Sequence, residues 1–131
     1  MGQALDGVVG TGDPTVDECS IVYFGDGATS QGDVNEAYVF AASHTAPVVF
    51  FLQNNHWAIS VPVSVQSPTP LVDRPRGFGI PSIRVDGNDV LASYAASVVA
   101  TEHARTGRGP AFVEADTYRI GAHTSLSLIH I

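Results

Sequence analysis

The run Ala-Pro-Val-Val-Phe-Phe-Leu-Gln at 46–53 is apolar almost without interruption. A strand with one wet face alternates polar and apolar residues, whereas a run apolar on both faces belongs in a sheet covered on both sides. Three further runs have this character: Ser-Ile-Val-Tyr-Phe at 20–24, Ser-Ile-Arg-Val-Asp-Gly at 82–87 and Pro-Ala-Phe-Val-Glu-Ala-Asp-Thr-Tyr at 110–118. Helical patterns sit between them. From Asp33 to His44, Val34, Ala37, Tyr38, Ala41 and Ala42 recur at spacings of three and four, with Asp33 and Glu36 in the first turn, where acids complement the dipole. A second helix is expected from Asp89, as N-cap, to Thr106, with Gly107 as its stop. Its inward face is read as Leu91, Ala95 and Val98 or Val99. The order strand, helix, strand, loop, strand, helix, strand reads as right-handed βαβ units. The expected class is therefore α/β, a parallel sheet flanked by helices.

Residues 60–81 break the pattern, with five prolines and two glycines. They read as a long irregular connection with one short helix near Leu71. Long loops in compact domains are often functional, and an ordinary surface excursion fits the composition equally well.

Composition removes several classes of function. The formal net charge is −7, all six basic residues are arginines, and there is no basic stripe for a nucleic-acid backbone. An anionic ligand would have to be held by backbone amides, a helix end or a metal. Cys19 is the only cysteine, which excludes an internal disulfide and a cysteine metal cluster and suits a small filler at the start of a strand. No apolar run approaches the ~20 residues that span a bilayer, so no membrane role is expected. The N-terminus shows no basic region followed by an apolar one.

Gly25-Asp26-Gly27 falls where the first strand hands over to a helix. Ligands of open α/β sheets bind past the carboxyl ends of the strands, and glycine lets backbone N–H groups approach an anion closely. A dinucleotide fingerprint would need a third glycine where Ser30 stands, and an acid where the next strand ends in Gln53-Asn54-Asn55. A P-loop would need a lysine, and the chain has none. A hard cation such as Mg2+ takes oxygen ligands, usually one or two from protein and the rest from phosphates and water. Asp26 and Asn55, at the tips of neighbouring strands, supply a carboxylate and an amide oxygen. A purely structural turn residue remains the other reading of Asp26.

Gly-Asp-Gly followed after 26 residues by Asn54-Asn55 resembles the thiamine diphosphate motif. Four blocks, GDGATSQGDVNEA, QNNHWAISVPV, SIRVDGNDV and TYRIGAHT, together resemble the alpha subunit of the decarboxylating component of 2-oxo acid dehydrogenase complexes, of the pyruvate and branched-chain types. The resemblance covers roughly residues 2–125 and implies a thiamine diphosphate-binding fold. It implies that Asp26 and Asn55 bind Mg2+ through their side chains and Trp57 through its main-chain carbonyl. Two diphosphate oxygens and a water would complete the shell. Gly27 and Ala28 would meet the diphosphate through the backbone. Trp57 stands where another aromatic is common, and core packing is its alternative role. His123 matches a histidine on a loop at the active-site mouth that helps deliver the acyl group to a lipoyl arm, with Tyr118 and Arg119 supporting that loop. Thr124 aligns with a position phosphorylated in some relatives. Nothing comparable is implied for His44, His56, His103 or His130; His44 suits the dipole at a helix C-terminus.

The same resemblance implies oxidative decarboxylation of a 2-oxo acid, pyruvate favoured, with acyl transfer to lipoyl in an alpha2-beta2 assembly. The glutamate that activates the cofactor ring would come from the beta subunit, since none of Glu18, Glu36, Glu102 or Glu114 fits by motif. Partners would be that beta subunit and the lipoyl acyltransferase component. Family alpha subunits carry a longer N-terminal region with further diphosphate contacts, of which Gly2 to about Val9 would be the last helix. Residues 1–125 are read as one cofactor-binding domain, truncated at its N-terminus, and Leu-Ser-Leu-Ile-His-Ile at 126–131 as a tail unlike the family, which puts turnover by the isolated chain in doubt. The alternatives are an inactive fragment or binding module, and an acetoin-cleaving or transketolase-like thiamine enzyme. The all-arginine composition and the bacterial look of the blocks favour the cytoplasm.

Overall fold

The computed structural model describes residues 2–122. After a short helix α1 (Gly2–Leu5) the chain alternates as expected: β1 (Ser20–Gly25), a 3-10 turn (Asp26–Ser30), α2 (Gly32–Ser43) and β2 (Val48–Asn54). A small antiparallel pair follows, β3 (Trp57–Ala58) with β4 (Val61–Pro62), then the short helices α3 (Val63–Gln66) and α4 (Asp73–Arg76). The chain returns to the sheet as β5 (Ser82–Asp86), α5 (Val90–His103) and β6 (Ala111–Asp116). The main sheet has the order β1-β2-β6-β5 with every pairing parallel. The four expected strands are its four strands.

The central strands β2 and β6 are apolar on both faces because each face meets a separate core. Phe50, Leu52 and Phe112 pack on one side with Tyr38 and Ala41 of α2. Val49, Phe51, Ala111, Val113 and Ala115 pack on the other with Ala96 and Ala100 of α5 and with Ala104 just beyond it. Tyr38 is the hub of the first core, edge-on to both Phe50 and Phe112 with ring centroids 5.0 and 6.0 Å away. The proline-rich excursion belongs to that core too: Leu71, Val72 and Ile80 are buried in it. It is thus more than a surface loop.

The expected inward face of α5 is corrected. Leu91 is 75% exposed and Val99 64%, with Ala95 and Val98 also outward. The buried stripe is Ala96, Ala100 and Ala104. Alanines let the helix lie close to a sheet face that itself carries Ala111 and Ala115, and such a stripe is overshadowed in the sequence by the bulkier residues opposite. The start and stop of the helix are as expected. Asp89 Oδ1 accepts from the N–H groups of Leu91 at 2.8 Å and Ala92 at 3.2 Å, and Gly107 ends the helical path at φ 79°. Replacing Asp89 with Ala is expected to cost about 1 kcal/mol of stability, read as a lower midpoint in urea. Cys19 is half-buried against the second core, and burial raises its thiol pKa, as expected of a filler. His44 caps the C-terminus of α2 with its ring stacked on Phe40.

Candidate functional site

β1 and β2 are neighbours in register, with Gly25 opposite Gln53, so the chain leaves both tips side by side. At the first tip Asp26 is 2% exposed and begins the 3-10 turn. Its carboxylate Oδ2 accepts from Gln66 Nε2 at 3.1 Å, and its carbonyl accepts from the Thr29 hydroxyl at 2.6 Å. Gly27 follows against the hairpin beyond the second tip. A Cβ there would stand 2.8 Å from Ala58 Cβ, closer than real contacts allow, so this turn needs glycine at 27. Ala28 is half-buried, and its carbonyl accepts from the Gln31 N–H at 3.0 Å.

At the second tip the chain reverses through His56 at φ 68°. Asn55 Oδ1 accepts from the Trp57 N–H at 3.0 Å, which folds the amide oxygen back over the turn. Trp57 is 48% exposed, so core packing is not its role. It lines a hollow of about 470 Å³ with Asn55, Ile59, Ser60 and the loop Tyr118–Ala122. Tyr118 and Arg119 therefore line the same hollow as Asn55 and Trp57. His123 and Thr124 lie outside the described residues, as does the 126–131 tail.

A layer of buried polar groups, not foreseen as site residues in the sequence, supports the second tip. Glu114 on β6 is 1% exposed, and its Oε1 accepts from Asn54 Nδ2 at 2.7 Å. Asn54 Oδ1 in turn accepts from the His56 N–H at 2.9 Å, and the Asn54 carbonyl accepts from the Thr117 N–H at 2.8 Å. His56 Nε2 meets Asp116 Oδ1 at 2.5 Å, and Arg84 pairs with the other oxygen of Asp116. His56 thus has a definite partner. The sequence signal was the pair of acids in β6, Glu114 and Asp116, since a buried carboxylate requires a polar partner; Glu114 Oε2 is buried without one among the described residues.

Burial pushes the Asp116 carboxyl up, but the hydrogen bonds from His56 and Arg84 outweigh it, and the net pKa lies below the ordinary 3.8. A depressed folded pKa contributes stability above pH 3.8, and that stability is lost as pH falls through the folded value. The Asp116 contribution to stability should therefore be lost only below about pH 4, and Asp116→Asn should flatten that part of the acid unfolding curve.

The donors at the two tips are hard oxygens, which suit Mg2+ rather than a soft metal. No group of three His, Cys, Asp or Glu able to hold a metal occurs among the described residues. A cation held here therefore needs oxygens from a ligand such as a diphosphate. The pressed Gly27 leaves the backbone of the turn unobstructed by a side chain, as a close-approaching anion requires.

Comparison with known proteins supplies the family. The model of the dehydrogenase E1 component matches residues 13–126. The alpha subunit of 3-methyl-2-oxobutanoate dehydrogenase from Mycobacterium tuberculosis is 54% identical over 110 residues, 83% of this chain and 30% of the relative. The alpha subunit of the pyruvate dehydrogenase E1 component from Acholeplasma laidlawii is 50% identical over 109 residues, 82% of this chain and 32% of the relative. The chain thus spans about a third of the curated relatives it matches. Among solved structures, a transketolase variant from Pichia stipitis superposes with a TM-score of 0.70 at 21% identity, over 87% of this chain and 17% of that one. A putative thiamin diphosphate-dependent enzyme from Mycobacterium smegmatis superposes with a TM-score of 0.58 at 20% identity, over 80% of this chain and 19% of that one. The parallel sheet, with helices on both faces, is the fold these enzymes share. By the family match across most of its length, the chain belongs to the dehydrogenase E1 component family.

Proposed function

We propose that this chain forms the cofactor-binding part of an E1 alpha subunit that binds thiamine diphosphate with Mg2+ and takes part in the oxidative decarboxylation of a 2-oxo acid. The observation that carries this reading is the buried Asp26 at one strand tip beside the Asn55 turn at the next, with Gly27 pressed against Ala58 between them. Asp26 and Asn55 bind the cation through their side-chain oxygens, and Trp57 through its main-chain carbonyl. Gly27 and Ala28 present backbone to the diphosphate. Bound there, thiamine diphosphate supplies the electron sink for loss of CO2.

The chain's own contribution is positioning and shape. Glu114 and Asn54 hold the second tip in its reversed course, and Trp57 with the Tyr118–Ala122 loop lines the hollow beside it. His123 assists acyl transfer to lipoyl. The remaining catalytic groups come from a beta subunit in an alpha2-beta2 assembly, which works with a lipoyl acyltransferase in the cytoplasm. No helix among the described residues is long and apolar enough to cross a membrane.

Calorimetric titration of the full-length, partner-bound enzyme with thiamine diphosphate tests the reading. Binding should require Mg2+ and weaken at least about 100-fold when the metal is chelated, since the anion then loses its main counter-charge. Binding of equal strength in excess chelator would overturn the metal role. A substrate panel of pyruvate, 3-methyl-2-oxobutanoate and acetoin then assigns the acid: relatives named for the first two align with this chain at 50% and 54% identity. Turnover of acetoin alone would replace the 2-oxo acid reading.

A further inference from the structure

Gln66 reaches the candidate metal carboxylate from the proline-rich excursion, 40 residues along the chain, with every arm of its amide engaged. Nε2 donates to Asp26 Oδ2 at 3.1 Å and to the Val61 carbonyl at 3.1 Å, and Oε1 accepts from the Ser30 hydroxyl at 3.3 Å. Turning the amide over would set its oxygen against both the Asp26 carboxylate and the Val61 carbonyl, two acceptors, so this orientation is the one its surroundings allow. Arg74 fastens the same junction, donating to the Thr29 carbonyl at 2.7 Å and to the Gln66 carbonyl at 3.4 Å. The excursion is thereby tied to the 3-10 turn at both its backbone and its carboxylate.

One oxygen of Asp26 is therefore taken by a donor, and among the described residues no protein donor meets the other. We infer that Gln66 is a positioning residue that confines Asp26 to binding its cation through a single oxygen and so tunes the site for Mg2+ against Ca2+. Mg2+ demands near-octahedral geometry with single-oxygen ligands, whereas Ca2+ takes about six to eight oxygens and accepts a carboxylate through both. A carboxylate with one oxygen occupied gives Ca2+ nothing that it does not also give Mg2+. The inference rests on the Asp26 role proposed above and adds a determinant of which metal the site prefers.

The test is calorimetry of the full-length, partner-bound enzyme with thiamine diphosphate and either Mg2+ or Ca2+, comparing the ratio of the two dissociation constants. Gln66→Met keeps the length of the side chain and removes the donor; Gln66→Leu removes it with a differently shaped apolar side chain, so an effect shared by both reports the lost donor. Both should move the ratio toward Ca2+ by about tenfold, the effect of freeing one charge-assisted hydrogen bond. A general loosening of the fold would weaken both cations alike and leave the ratio unchanged. An unchanged ratio in both variants overturns the role of Gln66 while leaving Asp26 as a ligand. A parent enzyme that binds neither cation with the cofactor overturns the Asp26 reading itself, and the role of Gln66 with it.

Discussion

Replacing Asp26 with alanine is expected to weaken Mg2+-dependent binding of thiamine diphosphate by at least about 100-fold. Even groups that only orient a metal ligand are worth about 10–100-fold in affinity, and a ligand itself should reach the upper end or beyond. Asp26 is buried and oriented by Gln66, while the acids nearest the second tip, Glu114 and Asp116, are engaged with Asn54 and with His56 and Arg84. Asp26→Asn separates charge from shape: it keeps the volume and an oxygen and should retain only a fraction of the affinity. Calorimetry reads the loss, and circular dichroism confirms that the sheet persists. Affinity equal to the parent's in the alanine variant would make Asp26 a turn residue and nothing more.

Truncating Phe112 to alanine is expected to cost about 3–5 kcal/mol of folding stability. Phe112 is 1% exposed on a central strand, edge-on to Tyr38 at 6.0 Å and to Phe24 at 6.4 Å. Its removal opens a cavity between the sheet, α2 and the excursion that carries Leu71 and Ile80. A small domain has only about 5–15 kcal/mol in hand, so this single change takes a large part of it. Chemical denaturation followed by circular dichroism measures the effect. A loss below about 1 kcal/mol would mean that the core collapses to fill the gap, contrary to the close packing described. The expected effect on the site is indirect, because the tips are held by strands whose spacing this core sets.

Much of the architecture is legible in the sequence. The four strands were found from runs apolar on both faces, and their parallel arrangement from the helical segments between them. Asp89 and Gly107 marked the bounds of α5 through chemistry that acts within one turn. The inward face of that helix was not legible, because it is apolar on two sides. Leu91 and Val99 carry more hydrophobic area than Ala96 and Ala100, yet closeness to the sheet selects the small residues. His56 likewise had no visible purpose until Asp116, on a strand far along the chain, was brought to 2.5 Å from its ring.

The candidate site divides along the same line. Asp26, Gly27 and Asn55 stand out in the sequence because the turn after a parallel strand is a local feature with its own residue preferences, and Trp57 only through the family resemblance; their binding roles are the ones proposed above. Gln66 and Arg74 do not stand out, since a glutamine or an arginine in a proline-rich stretch has no distinctive neighbours in sequence, and Glu114 signals only that some polar partner is needed, not that it is Asn54. Local order, such as strand periodicity, helix caps and glycine turns, is written in residues a few positions apart, and reading along the chain recovers it. Which oxygen of Asp26 is held, which face of α5 is buried and which group meets Glu114 depend on groups brought together from distant segments, and only the closed tertiary structure decides them.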